Sequence, residues 1–138
     1  MFRVWTALIV GCLLVVVATG VSAQRRGGDP KAAAVKNPVA STPASITAGR
    51  TAYNMNCRQC HGIRLKGDGP LAPKNPAPAD LTDAKWDHGS SDGEIFAVIW
   101  NGLPMTEMKG VKEAMQERDV WNVVNFIRSV GPKPAATK

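Results

Sequence analysis

The chain has 138 residues, enough for one small domain with flanking segments, and its formal net charge is +6. From residue 46 to residue 131, however, ten Lys and Arg residues are balanced by ten Asp and Glu residues. The positive excess therefore lies in the flanks, and no basic stripe follows a predicted folded element. This distribution argues against nucleic-acid binding, which the high isoelectric point of about 9.6 would otherwise suggest.

The N-terminus is typical of an exported protein. Met1-Phe2-Arg3 is a short positive start, and residues 4–23 form an uncharged, mostly apolar run that ends in Val21-Ser22-Ala23. This small-x-small ending predicts a signal peptide, residues 1–23, cleaved after its last residue. An uncleaved anchor is the main alternative, because the run has about the length that spans a bilayer. Lipidation at Cys12 is the third, and all three place the following domain outside the cytoplasm.

The segment after the apolar run, residues 24–45, is rich in Ala, Pro, Gly and Lys and has no aromatic residue and no apolar period. Pro30, Pro38 and Pro43 interrupt any helix there. Such a composition buries too little apolar area to offset the entropy of ordering. We therefore predict a disordered linker, and residues 132–138 at the other end are expected to be a flexible tail.

The predicted domain spans residues 46–131 and begins with a helix. Thr47 is a suitable N-cap for a helix from about Ala48 to Asn56. Gly49 and Tyr53 are four residues apart on one face of this helix. Tyr53 is expected to fill the core against the last helix of the domain.

A C-x-x-C-H motif, Cys57-Arg58-Gln59-Cys60-His61, follows this helix at once. Two cysteines at this spacing can each form a thioether with one vinyl group of a haem, and the histidine after them becomes an axial ligand of the iron. A zinc site would need more thiolates or a second, suitably spaced histidine, and a redox dithiol would need a βαβ pattern that is missing. A plain disulfide is the remaining alternative. The motif therefore predicts one haem attached through Cys57 and Cys60, with His61 bound to its iron.

Residues 62–81 are rich in Gly and Pro and are predicted to form an irregular loop. Metal-bound histidines usually donate a hydrogen bond from their second ring nitrogen. The carbonyl of Pro70 is a candidate acceptor for His61, and an ordinary surface turn is the alternative for this proline. His88, in a polar stretch further on, is interpreted as a surface residue rather than as a second histidine ligand.

Two further helices are predicted. Ser91-x-x-Glu94 is a capping box that opens a helix from about Asp92 to Asn101. The last helix runs from about Gln116 to Ser129 along an apolar stripe and ends at Gly131-Pro132. No stretch shows a convincing period-two strand pattern, so the predicted fold class is all-α.

The loop between these helices, Gly102 to Gly110, carries Met105 and Met108. A thioether is a soft ligand suited to haem iron, and His/Met ligation raises the reduction potential. Either methionine can serve on steric grounds, and the usual role of the other is to fill the core.

Together these pieces resemble a bacterial class I c-type cytochrome over about residues 46–131. The matching pieces, in chain order, are the Gly49/Tyr53 helix, Cys57-x-x-Cys60-His61-Gly62, Gly67-x-Gly69-Pro70, the loop from Asn101 to Met108, and the closing helix from Asp119 to Arg128. The resemblance implies a small all-α fold of three to five helices around one covalently bound haem, with the first and last helices crossing near Gly49 and Phe126. It also implies that the Pro70 carbonyl accepts a hydrogen bond from His61 and that a methionine of the loop is the sixth ligand.

The resemblance also ranks the two methionines. In such cytochromes the ligand often lies in a Gly-x-Pro-x-Thr-x-Met-Pro pattern, and aligning Gly102, Pro104 and Thr106 places it at Met108. Lys109 stands where proline is common, which leaves Met105 open as the alternative.

The function that the resemblance implies is that of a periplasmic monohaem cytochrome, which carries single electrons between redox partners and is not an enzyme. The alternative is a haem c subunit of a larger periplasmic oxidoreductase complex. A haem enzyme or gas sensor would require an open sixth position. We expect the partners to be periplasmic or membrane redox proteins, with no nucleic acid. We expect a monomer unless the chain is a complex subunit, and membrane attachment only if residues 4–23 stay uncleaved.

Overall fold

The computed structural model describes residues 27–132, so the predicted signal peptide and residues 133–138 lie outside the described part of the chain. Within the described range the chain forms helices and no strand, which confirms the predicted all-α fold. The helices are α1 (Pro30–Ala33), α2 (Pro43–Asn56), α3 (Arg58–His61), α4 (Asp92–Asn101) and α5 (Glu117–Val130). None of these helices is long and apolar enough to cross a membrane.

Helices α2 and α5 cross where a glycine allows their backbones to meet. A Cβ atom at Gly49 would overlap the carbonyl oxygen of Asn122 on α5, so a larger residue cannot fit there. One turn later the ring of Tyr53 packs against that of Phe126, with centroids 5.4 Å apart. Tyr53 is buried in the same core cluster. The predicted crossing near Gly49 and Phe126, and the place of Tyr53 in the core, are confirmed.

Helix α2 begins at Pro43 rather than at about Ala48. Its N-cap is Thr42, whose hydroxyl accepts a hydrogen bond of 3.2 Å from the Ser45 amide. Pro43 occupies the first turn, where a missing N–H group costs nothing. The predicted cap at Thr47 is therefore wrong, because this residue lies inside the helix.

Residues 29–45 are folded onto the domain, which corrects the prediction of a disordered linker for this stretch. Ala32 is buried against α4. The Asn37 side chain donates a hydrogen bond of 3.2 Å to the carbonyl of Trp121 on α5. Composition does not reveal this order, because much of it comes from hydrogen bonds to α5 rather than from the segment's own apolar residues. Residues 24–26 lie outside the described part.

Helices α4 and α5 complete the core. The predicted capping box is confirmed, since the Ser91 hydroxyl accepts from the Glu94 amide at 3.2 Å and the Glu94 carboxylate accepts from the Ser91 amide at 2.9 Å. Helix α5 begins one residue later than predicted and has no side-chain cap. Its residues 120–127 are all buried, and both α2 and α4 pack against it. Helix α5 is therefore the element around which the others are arranged.

Candidate haem-binding site

The two cysteines of the motif are joined by one turn of helix. Cys57 ends α2 and precedes α3, and its carbonyl accepts hydrogen bonds from the amides of Cys60 at 3.2 Å and His61 at 2.9 Å. The turn brings Cys57, Cys60 and His61 together, and both cysteine side chains are only partly buried. Burial, and to a smaller extent the neighbouring Cys60, raise the pKa of Cys57 to about 11. Before a haem is attached, the first cysteine is therefore a protonated thiol at neutral pH.

The ring of His61 is oriented by a backbone carbonyl. Its Nδ1 atom lies 3.3 Å from the carbonyl oxygen of Ala79. Because a carbonyl can only accept, this contact requires the proton on Nδ1 and leaves Nε2 as the nitrogen with a free lone pair. Burial lowers the pKa of His61, and the hydrogen bond to Ala79 opposes that shift only in part. The imidazole is thus held in the neutral form that binds metals.

The acceptor for His61 differs from the predicted one. Pro70, which was expected to supply it, is exposed next to Gln59, whose carbonyl accepts a hydrogen bond of 2.8 Å from the residue after Pro70. The chain reaches His61 later, when residues 78–81 return beside the start of the loop. The Leu81 amide donates to the carbonyl of Leu65 at 2.7 Å in this return. The structure thus pairs His61 with Ala79, whereas the role of Pro70 beside a haem-bound His61 stays a prediction.

The buried hydroxyl of Tyr53 supports the same loop. It donates a hydrogen bond of 2.7 Å to the carbonyl of Gly62, the residue after His61. Burial raises the pKa of this phenol well above its usual range, so the phenol stays protonated. The sequence predicted only core filling for Tyr53, since periodicity identifies the buried face of a helix but not the partner of a polar atom at its tip.

The methionine loop, residues 102–110, is closed by its own backbone. The Leu103 amide donates to the carbonyl of Met108 at 2.9 Å, and Gly102 and Lys109 form an isolated antiparallel bridge. The Thr106 hydroxyl donates to the carbonyl of Leu103 at 2.9 Å and accepts from the Met108 amide at 3.1 Å. The loop is thus a small hairpin with a side chain bound across its middle.

The two methionines of this loop differ sharply in their surroundings. Met108 is partly buried and packs against the hydrophobic core. Met105 is 88% exposed and has a positive φ of 60°. His88 is also exposed, in agreement with its interpretation as a surface residue.

The residues present fit a covalently bound haem better than a bare metal ion. Within residues 27–132 no group of three or more His, Cys, Asp or Glu side chains is placed to hold a metal ion. Cys57 and Met108 instead pack against one apolar cluster and remain partly exposed. Four large apolar side chains in contact with that cluster are likewise only partly buried: Leu81, Trp86, Phe96 and Trp100. Two thiols, an oriented imidazole, a thioether and a partly open apolar wall are the groups that a haem c site requires.

Comparisons with known proteins agree with this chemistry. The sequence model of the cytochrome c family matches residues 46–131. Cytochrome c550 of Pseudomonas aeruginosa is 26% identical over 99 residues, which cover 69% of this chain and 62% of the relative. A chain of the Kuenenia stuttgartiensis reducing HAO-like protein complex superposes with a TM-score of 0.62 at 26% identity, over 70% of this chain and 49% of that chain. Cytochrome cL from Hyphomicrobium denitrificans gives a TM-score of 0.57 at 19% identity, over 72% of this chain and 54% of its own.

The chain spans less than two thirds of the length of these three relatives. The family match nevertheless covers the motif, the methionine loop and helices α3 to α5, as well as most of α2. The chain therefore belongs to the cytochrome c family, with one haem c attached covalently through Cys57 and Cys60.

Proposed function

We propose that the protein is an exported carrier of single electrons, with His61 and Met108 as the axial ligands of its haem. The observation that carries the proposal is the contrast between the two loop methionines, because Met108 packs on the same apolar cluster as Cys57 whereas Met105 is 88% exposed. When bound, a haem with His/Met ligation supplies a reversible one-electron couple of raised potential.

The chain's own residues suit transfer rather than catalysis. Ala79 holds the imidazole of His61 in one tautomer, and the hydroxyl of Thr106 holds the backbone at Leu103 and at the amide of Met108. With both His61 and Met108 bound, the haem iron would have no open position for a substrate. Ligands that are held in place would also limit the structural rearrangement when the iron gains or loses an electron. This arrangement favours an electron carrier over the haem enzyme or gas sensor, either of which needs an open position.

The export step rests on the N-terminal sequence. The positive start, the apolar run over residues 4–23 and its small-x-small ending support cleavage after Ala23 and a periplasmic protein. Mass spectrometry of the protein recovered from the periplasm would give the mass of residues 24–138 plus one haem. A mass that includes residues 1–23 would support the uncleaved anchor instead.

A second candidate function is that of a haem c subunit in a larger oxidoreductase. The likeness to a chain of a reducing HAO-like protein complex, at 26% identity, favours this alternative. The chemistry of the haem would be the same, and only the permanence of the partner would differ. Stable co-purification with a partner enzyme would support the subunit, and a free monomer that is reduced and reoxidised would support the carrier.

The ligand assignment is tested by replacing each methionine in the haem-loaded protein. In the oxidised wild type we expect the weak long-wavelength absorption band of a methionine-to-iron bond. We expect Met108→Ala to abolish this band and Met105→Ala to keep it, because only Met108 packs against the core. The reverse pattern would assign Met105, and a wild type without the band would overturn His/Met ligation.

A further inference from the structure

The segment that precedes the family match is bound to the domain along its length. Residues 28–42, called the clasp from here on, begin beside Glu94, where a Cβ atom at Gly28 would overlap that carboxylate. Helix α1 follows and packs against the first turn of α4, where a Cβ atom at Gly93 would overlap the carbonyl of Ala32. The clasp then crosses α5 and ends at Thr42, the N-cap of α2. It therefore contacts all three of the longer helices.

Two asparagines, Asn37 and Asn125, hold the clasp against α5 by hydrogen bonds. Asn37 donates to the side-chain oxygen of Asn125 on α5 at 2.9 Å, and Asn125 donates to the carbonyl of Val39 at 3.0 Å and to the hydroxyl of Ser45 at 2.7 Å. Asn125 is 4% exposed. A buried amide with all its hydrogen-bonding groups satisfied fixes its neighbours, because leaving any of them unpaired is costly.

A second bond of Asn37 leads toward the haem site. Its amide also donates to the carbonyl of Trp121 on α5 at 3.2 Å. The ring of Trp121 stacks on Phe96 of α4, with centroids 4.0 Å apart, and Phe96 stacks on Trp100 at 5.7 Å. Trp100 lies two residues before Gly102, the C-cap of α4 and the first residue of the methionine loop. One aromatic stack thus joins the clasp's anchor on α5 to the end of α4.

The methionine loop is fastened to that same end of α4. The amide of Val111, just after the loop, donates to the carbonyl of Ile99 at 3.2 Å. Gly110 lies so close to Trp100 that a Cβ atom there would be 2.6 Å from its carbonyl oxygen. Near the start of the clasp, Asp29 lines one concave surface together with Gly102 and Leu103. Both ends of the loop therefore depend on the position of α4.

We propose that the clasp positions the methionine loop, with Asn37 and Asn125 as the positioning residues that hold α4 and α5 together beneath it. The loop opens when the clasp opens, so the clasp sets how firmly Met108 is held. The importance of this for the haem rests on the proposed ligand Met108, whereas the coupling between clasp and loop stands without it.

Native-state hydrogen exchange of the haem-loaded protein tests the coupling. The reporters are the amide of Leu103, bound to the carbonyl of Met108, and the amide of Val111, bound to that of Ile99. In Asn37→Ala we expect both to exchange at least about fivefold faster, because about fivefold is the effect of one lost hydrogen bond and the variant loses those to Asn125 and to Trp121. Asn54→Ala is the control, because Asn54 is exposed on α2 and away from the clasp, and it should leave both rates unchanged.

The outcomes separate a positioning role from general stabilisation. If Asn37→Ala speeds only the amides inside α2, or none, the loop opens independently of the clasp and the proposal fails. It fails equally if the buried amides of α5, such as that of Val124, speed up by the same factor as the reporters, because that result shows general destabilisation. Asn125→Ala should act in the same direction with a larger factor, and Asn37→Ala decides alone if that variant does not fold. The experiment does not use the methionine band, so a wrong ligand assignment and a wrong coupling give different results.

Discussion

The phenol of Tyr53 is buried between α2 and α5, and its hydroxyl supports the carbonyl that follows the haem-binding histidine. Burial raises its pKa above the usual value of 10.0. Above that pH the unfolded chain releases the phenolic proton while the folded chain retains it, so the unfolded state binds fewer protons. Stability must then fall as the pH rises, because the deprotonated phenol is available only to the unfolded chain.

Tyr53→Phe isolates this contribution. At pH 8 we expect the variant to be about 1 kcal/mol less stable than the wild type, because the Gly62 carbonyl loses its donor while the ring still packs on Phe126. As the pH rises above 10.0, only the wild type loses stability, because only its folded state must keep this proton. The difference in the free energy of unfolding between the two proteins should therefore shrink. Denaturant unfolding of the haem-loaded proteins measures both free energies. A difference that stays constant up to pH 11 would contradict the argument.

The residues of the haem site differ in how far the sequence predicts them. Cys57, Cys60 and His61 could be predicted because the chemistry of haem attachment fixes their spacing within five consecutive residues. The carbonyl that contacts His61 in the structure, that of Ala79, could not be predicted, because its position depends on the path of a long loop without periodicity. The Ala79 carbonyl arrives 18 residues later, and every residue except the last has a carbonyl group, so residue type carries no signal for this role.

At the scale of elements, local capping signals predicted α4 correctly and were misread for α2. Ser91 and Glu94 form a reciprocal pair that no other local structure satisfies as well. Thr42 followed by Pro43 is an equally good start signal. The composition of residues 24–45 hides this signal, because a proline also interrupts helices and a single Thr-Pro pair does not show which role applies. The order of the clasp rests on Asn125, more than 80 positions away, and no local pattern reveals such a partner.

The hairpin of the methionine loop gives a test at this scale. Thr106→Val removes the hydroxyl that bonds both the Leu103 carbonyl and the Met108 amide while keeping the side-chain volume. We expect the methionine-to-iron band of the oxidised protein to be lost at lower denaturant concentration, with a cost of about 1 kcal/mol. Thr106→Ser keeps the hydroxyl and should behave nearly as the wild type. Equal weakening in both variants would mean that the methyl group, and not the hydrogen bonds, holds the loop.

At the scale of the whole molecule, helix α5 is the common support. Its buried residues meet α2 at the Gly49 crossing, α4 through the Trp121 and Phe96 rings, and the clasp through Asn125. The apolar stripe of α5 predicted its burial, and the resemblance to class I c-type cytochromes implied the crossing. The C-terminal end of α5 is fastened by a charged residue, Arg128, whose partners no local sequence pattern indicates.

Arg128 joins α5 to the start of α4 and to the C-terminal end of the described structure. Its side chain is only 10% exposed, and its Nε atom lies 2.8 Å from a carboxylate oxygen of Asp92. It also donates to the carbonyls of Ser90 and Pro132, and its guanidinium lies over the ring of Trp86. A planar fork of donors can serve these partners together, which a lysine cannot.

Arg128→Gln should therefore destabilise the haem-loaded protein by about 3 kcal/mol, because it leaves the Asp92 carboxylate and two carbonyls without their donor. Arg118→Gln is the matched control, since Arg118 is exposed on the same helix, and its cost should stay within about 0.5 kcal/mol. Denaturant unfolding of both variants at two salt concentrations makes the comparison, because a desolvated pair is screened much less than an exposed one. A cost for Arg128→Gln that vanishes at high salt would show that Arg128 acts as a surface charge and does not fasten this end of the molecule.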